Sequence, residues 1–158
     1  MIAIPKGFSF ATAEAGFRYK NRRDLGMILS AYPAQAAGVF TQNMFKAAPV
    51  IVARQFLEEN RAMRGILVNS GQANACTGEE GMFNCFKSLE LVLRQLDLET
   101  NSILPASTGV IGEQMDMPAW ERAVPLLIER LGEDGPLEFA RSILTTDAFS
   151  KITWKTLE

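Results

Sequence analysis

The chain has 158 residues, of which 47% are apolar and 22% charged, and a formal net charge of −2. That length holds one domain with a real core, and the composition is that of an ordinary globular chain. With no basic block, a nucleic-acid or acidic-membrane partner has no electrostatic support, and no apolar run approaches the roughly 20 residues of a membrane span.

Residues 7–20 are rich in Gly, Ala and aromatics. Phe8 and Phe10 alternate, as do Phe17 and Tyr19, which predicts short strands with a tight connection. Asn21 to Asp24 reads as a polar turn. Leu25 to Ser30 and Ala36 to Thr41 read as strands separated by Tyr32-Pro33, so a hairpin is expected over residues 24–41. Ala47-Ala48-Pro49 opens a helix with Pro in the first turn, where its missing N–H does no harm. Val50, Ala53, Phe56, Leu57 and Asn60 follow at helical spacing, and residues 61–64 connect to the next element.

That element is Gly65 to Gly78. Ile66, Leu67 and Val68 predict a strand buried on both faces. Asn69 to Gly78 then holds only small or amide side chains. Such a stretch is either a tight internal turn whose amides satisfy buried backbone groups or a ligand-facing loop. Residues 81–96 give the clearest helix, with Met82, Phe86, Leu89, Leu93 and Leu96 on one stripe read as core. Ile103 to Ser107 is a short strand ended or edged by Pro105, followed by a second small polar turn, Ser107 to Gly112. Pro118 begins a helix with Trp120, Val124, Leu127, Ile128 and Leu131 inward, and Pro125 predicts a kink or break near Ala123. Asp134 is a candidate cap for a last helix, Pro136 to Leu144. The alternation of strands and helices predicts an α+β domain over residues 1–158, a mixed sheet packed under helices. Lys151 to Glu158 reads as a strand that begins without a partner, so a second polypeptide or a continuation of the chain is expected.

There is no His anywhere. A chain of this composition acting alone has neither a His-activated Ser or Cys nucleophile nor a His metal site. Cys76 and Cys85 form no CxxC and read as buried thiols in a reducing compartment. No glycine pattern matches a dinucleotide or phosphate loop. The first residues show no signal or transit sequence, so a cytoplasmic location is expected. Lys20, Arg22 and Arg23 form a small basic cluster, read as a solvated face, with contact to an acidic substrate as the alternative.

Taken together, a series of short motifs resembles the N-terminal, α-chain part of the glutamate N-acetyltransferase (ornithine acetyltransferase) family. They are Gly7-Phe8, Ala15-Gly16-Phe17 with Asp24-Leu25, Ala37 to Thr41 with Asn43, Ala47 to Val50, Val68 to Gly78, Ser107 to Gly112, and Thr145-Thr146-Asp147 with Lys151. Gln72 stands where Asn is commonest, and Ala148-Phe149-Ser150 replaces the usual small-residue–Pro pattern. The resemblance implies the α/β sandwich of DmpA and ornithine acetyltransferases. It also implies a precursor that cleaves itself before a Thr, which becomes the nucleophile and first residue of a β chain. The amine of that Thr serves as base, so no His is needed.

In arginine biosynthesis such an enzyme moves acetyl from N2-acetylornithine to glutamate, with no nucleotide or metal cofactor implied. The partners implied are the β chain, in αβ units that assemble further into a heterotetramer, and the two small substrates. The family's Thr-Gly oxyanion pair matches Thr108 and Gly109, and its substrate-contacting Thr matches Thr145. The competing readings are a related N-terminal-nucleophile amidase or aminopeptidase subunit, and a catalytically silent binding segment.

Overall fold

The computed structural model describes residues 3–59 and 62–156. Its elements in chain order are β1 (Phe8–Ala13), β2 (Leu25–Ala34), α1 (Ala48–Glu58), β3 (Met63–Gln72), α2 (Gly78–Leu96), β4 (Ile103–Val110), α3 (Met117–Glu129) and α4 (Pro136–Ser142). The strands form one mixed sheet in the order β1-β2-β3-β4. β1, β2 and β3 pair antiparallel, and β4 joins β3 parallel through the α2 crossover. This is the expected α+β architecture. Among the described residues no helix is long and apolar enough to cross a membrane.

Alternation along the strands divides the sheet into two faces. One carries Ala11, Ala13, Leu25, Met27, Leu67 and Ile103 into the core, where they meet Val52 and Phe56 of α1, Leu89 and Val92 of α2, and Trp120, Val124 and Leu127 of α3. Each large side chain buried there contributes roughly 1.5–3 kcal/mol. The other face is covered at one end by α4, whose Phe139 meets Phe10 edge to face at 6.0 Å. The rest of that face stays open. Ile66 is 39% exposed and Val68 half-buried, so the middle of β3 is buried on one face rather than both.

Several sequence expectations change for local physical reasons. The hairpin over residues 24–41 does not form. β2 pairs with β1 on one side and β3 on the other, which leaves no free edge, and residues 35–43 run on without regular structure. Phe17 and Tyr19 lie in the loop after β1, not in a second strand. In α2, Leu89 and Leu93 are buried, but Phe86 is 41% exposed. The buried stripe runs through Gly81, Cys85, Ser88, Leu89 and Val92, and Phe86 lies at its margin, 6.3 Å from the Phe56 ring.

α3 passes through Pro125 without a break. The carbonyl that loses its donor belongs to Glu121, an exposed position. Asp134 does not cap α4, whose N-cap is Gly135. Its buried carboxylate accepts instead from Thr12 N (2.7 Å), Thr12 Oγ1 (2.8 Å), Arg23 Nη1 (2.6 Å) and Arg130 Nη2 (3.2 Å). α1 begins where expected, with Pro49 in its first turn. The expected helical position Asn60 and connecting residue Arg61 lie outside the described residues, as do the last two residues of the expected C-terminal strand. Residues 151–156 have no regular structure.

Candidate active site

β4 extends to Val110 rather than turning at Ser107. As an edge strand it tolerates Pro105 and Gly109, because only one of its sides needs ladder donors. Ser70 pairs with Thr108 and Gly71 with Gly109. Both glycines have positive φ, 110° and 137°. A Cβ at Gly109 would lie 2.2 Å from the carbonyl carbon of Gly71. Only Gly fits there. In a parallel ladder alternate residues of an edge strand bond inward. The Val110 carbonyl accepts from Ala73 N–H at 2.9 Å, so Val110 faces β3 and Gly109 turns its N–H to the open edge. The Thr108 side chain is half-buried, and its hydroxyl takes no partner among the described residues.

Thr108 and Gly109 share a cavity of about 440 Å³ with Thr145, Thr146, Arg18, Tyr19 and Gly71. The fold thus brings together all three residues singled out in the sequence. Thr145 arrives after α4, held by bonds to the carbonyls just before it. Ser70 Oγ donates to Ser142 O at 2.7 Å, and the Arg22 guanidinium donates to Leu144 O. The basic cluster is a solvated face at Lys20 and Arg23, and only Arg22 turns partly inward. Lys20 and Arg23 are exposed, Arg23 while pairing with Asp134, and Arg22 is half-buried. The cation on the cavity wall is Arg18, which the sequence reading missed. Its guanidinium lies 5.8 Å from the Tyr19 ring centre, with Arg22 at 5.6 Å from the same ring. The signal for it was local: it directly follows Ala15-Gly16-Phe17.

In the amide-rich stretch Asn69 to Gln72 complete β3, and Ala73 to Thr77 form a packed connection to α2. Asn69 Nδ2 donates to Gln72 O (2.8 Å), Asn74 Nδ2 to Gly81 O (2.9 Å), and Gln72 Nε2 to Gln114 O (3.2 Å). Thr77 Oγ1 donates to Asn74 Oδ1 at 2.7 Å. These side chains satisfy backbone behind the cavity, and Gly71 alone of residues 69–78 lines it.

Two carboxyls near the site are shifted in opposite directions. Burial pushes Asp24 above its ordinary range, outweighing the pull of the Ala15, Phe17 and Gly16 N–H groups. Desolvation also pushes Asp134 up, but the hydrogen bonds from Thr12 and Arg23 and the Arg23 charge prevail and hold it low. Cys85 is buried and its thiol is pushed up to about 12 by desolvation, whereas Cys76 is exposed, against the expectation of two buried thiols.

The sequence model of the ArgJ family matches residues 9–158. The chain belongs to the ArgJ family. It is 53% identical over 157 residues to the arginine biosynthesis bifunctional protein ArgJ of Nitratidesulfovibrio vulgaris, covering 99% of this chain and 40% of that protein. To ArgJ of Bacillus subtilis it is 40% identical, covering 96% and 37%. The chain thus spans about two fifths of the length of these curated ArgJ relatives. Among solved structures, ornithine acetyltransferase of Mycobacterium tuberculosis in complex with ornithine superposes with a TM-score of 0.86 at 34% identity, covering 91% of this chain and 78% of that one. ArgJ of Bacillus halodurans gives 0.84 at 32% identity, covering 90% and 74%.

Proposed function

We propose that this chain is the α part of an ornithine acetyltransferase and that it supplies the oxyanion hole. The observation that carries this reading is the convergence of Thr108, Gly109 and Thr145 on one cavity, with the Gly109 N–H turned to an open edge. The hydroxyl of the β-chain Thr attacks the acetyl carbonyl of N2-acetylornithine. Its proton passes to the amine of the same Thr. The carbonyl oxygen becomes an oxyanion, accepted by the Thr108 hydroxyl and the Gly109 N–H. The C–N bond breaks, and ornithine leaves with the proton. The amine of glutamate then attacks the acyl-enzyme through a second oxyanion at the same donors, releasing N-acetylglutamate and restoring the Thr hydroxyl. Donors fixed before charge develops favour the transition state over bound substrate.

The same reading gives the partner. The open sheet face presents Phe8, Ile28, Ile66 and Leu104 around a concavity of about 280 Å³. Val39, Met44 and Phe45 are at least 83% exposed nearby in sequence. Apolar surface of this kind marks an interaction site, and the β chain is its proposed cover, in αβ units that assemble further. The test is reconstitution. Acetyl transfer from N2-acetylornithine to glutamate is expected when the chain is produced with the remainder of a full-length ArgJ protein, together with a product beginning with Thr by mass spectrometry. Transfer by this chain alone contradicts the reading.

A further inference from the structure

The loop that walls the cavity beside Thr108 hangs on one buried carboxylate. Asp24 is 3% exposed. Its Oδ1 accepts from Ala15 N–H at 2.7 Å and Gly16 N–H at 3.3 Å, and its Oδ2 from Phe17 N–H at 2.8 Å. Its backbone carbonyl accepts from Ser70 N–H at 2.8 Å. One residue therefore ties the 15–17 loop to β3 immediately before Gly71. The loop presses on that glycine: a Cβ at Gly71 would lie 3.2 Å from Arg18 Cβ and 3.4 Å from Phe17 Cβ. On its other side Gly71 abuts Gly109. The loop meets Gly71 through the Cβ atoms of Arg18 and Phe17, which no rotamer change moves, and Gly71 meets Gly109 backbone on backbone, so little can absorb a shift between them. Phe17 adds a second anchor, its ring 5.1 Å from that of the buried Trp120.

We propose that Asp24 is a positioning residue for acyl transfer, which fixes the 15–18 loop against Gly71 and thereby sets where the Thr108 and Gly109 donors stand. The proposal rests on the oxyanion reading of those two residues. Oxyanion stabilisation depends on donor placement, and small displacements cost rate steeply. Asp suits the task because both its oxygens accept. Asn has one acceptor oxygen and turns an NH₂ toward N–H groups on the other side.

The test is a double-mutant cycle in a full-length, self-cleaved ArgJ enzyme built on this chain, counting only cleaved protein. Asp24→Asn is expected to lower kcat by roughly 10- to 100-fold with little change in KM. In the Thr108→Ala background the same change costs less, because one of the two donors it positions is already gone. A folded Asp24→Asn enzyme with unchanged kcat, or effects that simply multiply, overturns the proposal. If Thr108→Ala itself retains full kcat, the oxyanion reading falls and this proposal with it. If Thr108→Ala is slow and Asp24→Asn is fast, this proposal alone falls. Should the Asn variant not fold, Phe17→Ala loosens the same loop with Asp24 intact. It carries the same expectation, and an unchanged kcat there overturns the proposal equally.

Discussion

Gly109 stands against Gly71 with no room for a single carbon between the two backbones. A Cβ at Gly109 would meet the Gly71 carbonyl carbon at 2.2 Å and its oxygen at 2.4 Å. The contact is backbone on backbone, so no rotamer relieves it. Gly109→Ala must displace β4 from β3 at the point where the proposed donors sit, and its φ of 137° is unfavourable for any L side chain. The expected result in the full-length enzyme is a loss of kcat at least as large as that of Thr108→Ala, with a lowered melting temperature. Gly112→Ala is the control: it also has positive φ, but its added Cβ meets nothing within 4 Å, so the comparison separates strain from displacement.

Asp134 joins β1, the turn before β2 and the C-cap of α3 through four hydrogen bonds. Asp134→Asn is expected to cost about 1.5–3 kcal/mol at neutral pH, the scale of a charged hydrogen bond. The sign of its pH dependence follows from the lowered pKa. A carboxyl held low in the folded state contributes stability above its unfolded pKa, and that contribution is lost as pH falls through the folded value. Asp24, raised by burial, runs the other way: folding gains stability as pH falls through its raised pKa toward the unfolded one. Denaturant melts from neutral pH down to acid should therefore show wild type and Asp134→Asn converging as the pH drops. A constant gap would exclude the Asp134 charge as the cause.

Cys76 and Cys85 should differ as thiols. Cys85 is 2% exposed on α2 with its pKa pushed up to about 12, and Cys76 is exposed. The thiolate is the reactive form. In the free chain a soluble alkylating reagent near pH 8 should label Cys76 alone until denaturant is added, as read by peptide mass spectrometry. Labelling of Cys85 in folded protein would show that the core around α2 opens.

Much of this was legible from the residues. α2 was, because Leu89 and Leu93 repeat at helical spacing. Its true stripe was not, because Gly81, Cys85 and Ser88 face inward, and small residues carry no hydrophobic signal. The length of β4 was hidden by Pro105 and Gly109, which read as turn residues and are tolerated only because the strand is an edge. In the site, Thr108, Gly109 and Thr145 were named through family resemblance. Their meeting in one cavity is tertiary: it depends on α4 returning across the sheet face and on Ser70 and Arg22 holding the segment before Thr145. Arg18 lies on, and Asp24 holds, a loop whose path no periodicity encodes.

The most direct measurement of the central claim is the steady-state kinetics of Thr108→Ala and Thr108→Ser in the full-length, self-cleaved enzyme, with folding checked by thermal melts. If the Thr108 hydroxyl meets the developing oxyanion, the Ala variant loses roughly 10²- to 10³-fold in kcat with KM little changed, the usual loss for one such donor. The Ser variant, which keeps a hydroxyl, retains much of the rate. A folded Ala variant with full kcat, its only defect a stability loss of about 1 kcal/mol, contradicts the account and leaves Thr108 a structural residue of an edge strand.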